Sequence, residues 1–195
     1  MIRLLKLPGA PQALKIAAAG GAEGARRGVA ARELDRLIDT LLPGRAIVRL
    51  AGGRPVVRGA DDIHMSLSHA TGATALAAAP FPVGIDLECV DPELDALAVG
   101  PELLGARDFA FLASQAEAKR LEHFYRLWTL KEAWLKRGGC TLAQTELPEV
   151  IGSDGRLDVG MSTDWLDVAG RRYCVGICWD AVLAPSTALA SANCL

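Results

Sequence analysis

The chain has 195 residues, 51% of them apolar and 23% charged, with 21 lysines and arginines against 23 aspartates and glutamates and a formal net charge of −2. That is enough apolar material for one packed domain, or for two small ones sharing a core, and it excludes intrinsic disorder. The near-neutral balance argues against a protein that coats nucleic acid, and no apolar run is long enough to span a bilayer.

In chain order, a first strand is expected over residues 2–7. The alanine-rich stretch at 16–22 follows Arg3 and Lys6, but Pro8, Pro11, Lys15 and the Gly20-Gly21 pair interrupt it. An export signal is therefore not expected, and the chain is expected in the cytoplasm. Leu34, Leu37, Ile38 and Leu41 lie at helical spacing within 30–42, and Pro43-Gly44 stops that helix. Short strands follow at 46–50, 55–58, 65–68, 74–79 and 83–88, punctuated by Gly52-Gly53, Thr71-Gly72 and the prolines at 80 and 82.

Ser114 and Glu117 have capping-box spacing ahead of a long helical pattern that reaches about Arg137, with room for a break near Glu122. Gly138-Gly139 ends it, and residues 149–179 read as strands and turns. Each half thus runs strand, helix, then antiparallel-type strands, which makes an α+β chain. Five cysteines, at 89, 140, 174, 178 and 194, are odd in number and scattered, which is no disulfide framework. Cys174 and Cys178 point to one sheet face and, lacking further ligands at zinc spacing, are expected to be buried thiols.

Two segments put charge on an apolar face. Leu121, Phe124, Tyr125, Trp128 and Leu135 form one helical stripe, and Glu132 sits in its middle with Lys136 one turn on. An unpaired carboxylate there is costly; the pair either neutralises itself on a half-exposed face or serves chemistry. In the strand at 83–88, Asp86 and Glu88 project to one side, and Ile85 and Leu87 to the other. Such a pair is either a solvated strand edge or repels unless something positive lies between, and a Mg²⁺ ion accepts hard oxygen ligands of this kind.

Val83-Gly84-Ile85-Asp86-Leu87-Glu88 followed by Trp128-Thr129-Leu130-Lys131-Glu132-Ala133-Trp134-Leu135-Lys136 resembles the paired signature of the 4′-phosphopantetheinyl transferases. Two weaker elements precede it in order. Gly53-Arg54-Pro55 is similar to the family's Gly-Lys/Arg-Pro, and Ser66-Leu67-Ser68-His69 to its Asn-x-Ser-His, with Ser66 in place of Asn.

The resemblance implies transfer of the phosphopantetheine arm of coenzyme A to a serine of an apo carrier protein, with release of adenosine 3′,5′-bisphosphate. It implies Mg²⁺ held by Asp86, Glu88 and Glu132, with Glu132, or Glu88 through a water, taking the serine proton and Lys136 supporting the leaving phosphate. Arg54, Ser68 and His69 would hold coenzyme A, with Lys131 and Arg27 as further basic contacts. The length resembles the family's long type, in which two similar lobes form a pseudo-dimer in one chain with the site between them. Here the lobes would be residues 1–82 and 83–195, the protein a monomer, and its partner an acidic carrier protein. The alternative is a non-catalytic relative that binds coenzyme A or a carrier.

Overall fold

The computed structural model describes residues 2–6, 9–10, 12, 15–20, 27–49, 55–60, 62–140, 147–152 and 160–180. In chain order the elements are β1 (Ile2–Leu5), β2 (Lys15–Gly20), α1 (Arg27–Leu41), β3 (Ile47–Arg49), β4 (Pro55–Val57), β5 (His64–Ala70), β6 (Ala73–Ala79), β7 (Val83–Cys89), α2 (Ala96–Leu103), α3 (Ala106–Ser114), α4 (Glu117–Gly138), β8 (Met161–Val168) and β9 (Arg171–Trp179). The fold is mixed α+β, with an antiparallel sheet in the order β1-β2-β6-β5, another in the order β7-β9-β8, and a two-stranded β3-β4 ribbon.

The two larger sheets lie face to face. Ile16, Ala18, Ala73, Ala75 and Ala77 on one meet Val83, Ile85, Leu87, Val175 and Ile177 on the other in a single apolar cluster. On the far side of the first sheet, Leu34, Leu37, Ile38 and Leu41 of α1 pack on Ala17, Ala19, Leu76 and Ala78. Beyond the second sheet, Leu127 and Leu130 of α4 pack near Cys174. The order of layers is therefore helix, sheet, sheet, helix, each element burying the face that its apolar period prepares.

Strand β2 is not foreseen in the sequence. Alanine has little intrinsic strand preference, and the stretch shows no alternation. Yet Ala17, Ala18 and Ala19 are all buried, because β2 lies inside a sheet covered on both sides and small side chains let both layers close in. The helix α1 starts at Arg27, before the expected residue 30. Ser114 does not cap α4: it is the last residue of α3, its Oγ bonded to the Phe111 carbonyl at 2.7 Å, and the residue preceding α4 is Ala116. Helix α4 runs through Glu122 unbroken and ends, as its glycines predict, at Gly139 with φ of +71°. Among the described residues no helix is long and apolar enough to cross a membrane.

Two glycines set the distance between α4 and the sheet. A Cβ on Gly84 of β7 would lie 1.8 Å from the Ala133 carbonyl oxygen, and one on Gly176 of β9 would lie 2.6 Å from the Thr129 carbonyl carbon. Helix backbone therefore rests on strand backbone at both points. Gly84 and Gly176 occupy the same face as Asp86 and Glu88, so this contact brings α4 down beside the two carboxylates.

Candidate active site

Strand β7 is the edge of its sheet, paired on one side only, with β9. Its outward N–H groups are met by side chains of β5. Ile85 N–H donates to Ser66 Oγ at 3.0 Å, and Leu87 N–H donates to Ser68 Oγ at 3.1 Å. The alternating serines of Ser66-Leu67-Ser68 thus take the place of a strand ladder and satisfy an edge that would otherwise be left open.

Asp86 of β7, only 3% exposed, is held from two other elements at once, β5 and α4. Ser68 Oγ donates to its Oδ1 at 2.9 Å, and Lys136 Nζ reaches the same oxygen at 2.6 Å and Ser68 Oγ at 2.9 Å. Its second oxygen, Oδ2, is buried with no hydrogen-bond partner. A buried carboxylate oxygen normally has one, so Asp86 has an unused ligating atom.

Glu88 accepts from the Trp128 indole Nε1 at 3.3 Å. Burial, then the charge of Asp86, push Glu88 above the ordinary carboxylate range, while Trp128 and Lys136 pull it partly back. Glu132 is raised by the same two causes, again with Lys136 opposing. One lysine charge therefore serves a cluster of three carboxylates. Among the described residues no three acidic, histidine or cysteine side chains are gathered as a metal cage. The fit to a divalent cation rests on the orphaned Oδ2 and on an oxygen-only donor set carrying more negative than positive charge, which suits Mg²⁺.

The sequence groups some residues here that the structure does not. Lys131 is fully buried, ion-paired with Asp108 at 2.6 Å and bonded to the Pro148 carbonyl. This corrects its expected contact with coenzyme A. Asp108 also accepts from the N–H groups of Val150 and Ile151 at 3.0 and 2.9 Å, so the pair ties α3, α4 and residues 148–151 together. Ser68, expected at coenzyme A, lies within the carboxylate cluster, where its hydroxyl donates once and accepts twice. His69 is exposed and, by strand alternation, faces away from Ser68. Arg54 and the Arg27 side chain lie outside the described residues.

Trp128 belongs to both the apolar stripe and the signature, and its indole N–H, which needs an acceptor in a packed face, is the available signal for the bond to Glu88. Asp108 carried no signal, since nothing in the pattern marked residue 108 as internal. Cys174 is a free, buried thiol 3.5 Å from Thr129 Oγ1, and burial pushes its pKa up to about 12. It is chemically quiet, as the sequence led us to expect.

A profile of the 4′-phosphopantetheinyl transferase superfamily matches residues 82–171, the span that holds β7 and α4. Residues 82–171 are therefore similar to that superfamily, over a little less than half of the chain. Over 87 residues the chain is 37% identical to the 4′-phosphopantetheinyl transferase psf-1 of Bacillus pumilus, covering 45% of this chain and 36% of that one. It is 32% identical over 87 residues to the 4′-phosphopantetheinyl transferase gsp of Aneurinibacillus migulanus, covering 45% and 35%. It is 26% identical over 87 residues to the 4′-phosphopantetheinyl transferase Sfp of Bacillus subtilis strain 168, covering 45% and 38%. The match thus spans little more than a third of these relatives. Asp86, Glu88, Glu132 and Lys136 all lie inside the matched segment, whereas Ser68 and His69 precede it.

Proposed function

We propose that the protein transfers the 4′-phosphopantetheine arm of coenzyme A to a serine of an apo carrier protein, releasing adenosine 3′,5′-bisphosphate. The observation that carries this reading is Asp86, with one oxygen clamped by Ser68 and Lys136 and the other buried without a partner. Asp86, Glu88 and Glu132 would hold Mg²⁺, which supplies positive charge against the pyrophosphate as its P–O bond breaks.

The remaining chemistry falls to the chain itself. Glu132, or Glu88 through a water, takes the proton of the carrier serine. Lys136, partly exposed at 31%, donates to the leaving phosphate oxygen. His69, exposed beyond the end of the Ser66–Ser68 seam, meets a phosphate of coenzyme A, joined by Arg54 and Arg27. The chain acts as a monomer whose two similar lobes, 1–82 and 83–195, enclose the site, and the carrier is acidic. The common core of the two sheets and the origin of the cluster in β5, β7 and α4 support that arrangement.

The test is to incubate the protein with coenzyme A, Mg²⁺ and a panel of apo carrier proteins, then to weigh the intact carriers. A carrier heavier by one phosphopantetheine, with the gain abolished by EDTA and reduced at least about 100-fold in Asp86→Ala and Glu132→Ala, is the expected result. No gain on any carrier, with coenzyme A still bound, would instead favour a non-catalytic binding relative.

A further inference from the structure

The Ser68 hydroxyl is engaged within the carboxylate cluster, a position its expected part at coenzyme A does not account for. It is 3% exposed and makes three hydrogen bonds to three different groups: Asp86 Oδ1, the Leu87 N–H and Lys136 Nζ. With its donor and both lone pairs engaged, it has nothing left to offer a ligand. What it fixes is a rotation. By accepting from Leu87 N–H it is anchored to β7, one residue beyond Asp86 on the same strand. From there it donates to one chosen carboxylate oxygen and holds Lys136 against it, leaving Oδ2 as the unoccupied one.

We propose that Ser68 is a positioning residue that sets the orientation of Asp86, so that Oδ2 alone is offered to a divalent cation and Lys136 is kept off it. This inference rests on the proposed transfer reaction and its cation. Ser66 supplies an internal control. It makes the equivalent bond to β7, from Ile85 N–H at 3.0 Å, and among the described residues no hydrogen bond joins it to a carboxylate or a lysine. Loss of either hydroxyl leaves one buried N–H without its partner, and Ser68→Ala adds to that shared cost the loss of its bonds to Asp86 and Lys136.

The experiment compares the full chain with Ser68→Ala, Ser66→Ala and Ser68→Thr. It measures Mn²⁺ binding by electron paramagnetic resonance, coenzyme A binding by calorimetry in EDTA, and melting temperature. In Ser68→Ala, Mn²⁺ affinity is expected to fall about tenfold, the scale of loss when a group that orients a metal ligand is removed. Coenzyme A affinity without metal should stay within about twofold of wild type, and the melting temperature should drop at least as far as in Ser66→Ala, whose Mn²⁺ affinity stays at the wild-type level. Ser68→Thr, which keeps a hydroxyl, should restore Mn²⁺ affinity.

If Ser68→Ala weakens coenzyme A binding instead, Ser68 is a ligand contact and the proposal fails. Equal Mn²⁺ affinity in Ser68→Ala and wild type overturns it while leaving the transfer reading intact. A wild-type chain that neither binds Mn²⁺ nor modifies a carrier overturns both.

Discussion

At the scale of single residues, the cluster is an excess of negative charge held in a half-buried place. Burial first, and then Asp86, raise Glu132 above its ordinary value of 4.5, with Lys136 partly opposing. The folded chain therefore binds more protons at this site than the unfolded chain between 4.5 and the raised value. The stability linked to the protonated form is complete below that window and is lost as pH rises through it. We expect Glu132→Gln, melted in EDTA, to match wild type near pH 4.5 and to melt at a higher temperature at neutral pH. A wild type that is the more stable of the two at neutral pH contradicts this account. The nearness of the carboxylates was foreshadowed in the sequence by Glu132 within an apolar stripe and by Asp86 and Glu88 on one strand face, and in the structure all three share the charge of Lys136. The uses of Ser68 and Lys131 were not foreshadowed, because each depends on a partner brought from a distant part of the chain, Asp86 in one case and Asp108 in the other.

At the scale of elements, α4 and β7 decide the geometry, and the spelling of both made them visible early. The helix was foreseen from its stripe and its terminal glycines, and the strand from its alternation. Their distance was not foreseen, since a glycine in a strand looks like a weakness until the helix above it is known. Gly84→Ala would put a methyl group 1.8 Å from the Ala133 carbonyl oxygen, on a backbone atom with no flexible side chain to yield. We expect this variant to lose at least about 1–3 kcal/mol in urea unfolding, the range typical of overpacking. Surviving folded protein should also show weakened transfer, because α4 must lift away from Asp86. Unchanged stability would mean that the helix does not rest on the strand.

At the scale of the whole molecule, the apolar cluster between the sheets joins residues from β2 and β6 to residues from β7 and β9. Tyr173 Oη adds a donated hydrogen bond to the Thr71 carbonyl at 2.6 Å across the same divide. Neither sheet can bury its inner face without the other, so the two should unfold together. The four tryptophans, at 128, 134, 165 and 179, all lie in the second half of the chain. Their fluorescence and the far-ultraviolet circular dichroism of the whole chain should therefore give coincident urea transitions. Separate midpoints would show that the halves are independent. The fold class was legible from the succession of periods, whereas the face-to-face order of the sheets was not, because alanine strands carry no mark of which face is inside. The glycine contacts beneath α4 also bear on how such a chain can diverge. The spacing of its reactive groups is gauged by main-chain atoms, which no mutation exchanges, and not by the bulk of the surrounding greasy side chains. Leucines and phenylalanines elsewhere in the interior are thereby free to drift from one descendant to another, while two bare positions on neighbouring strands keep the chemistry in adjustment.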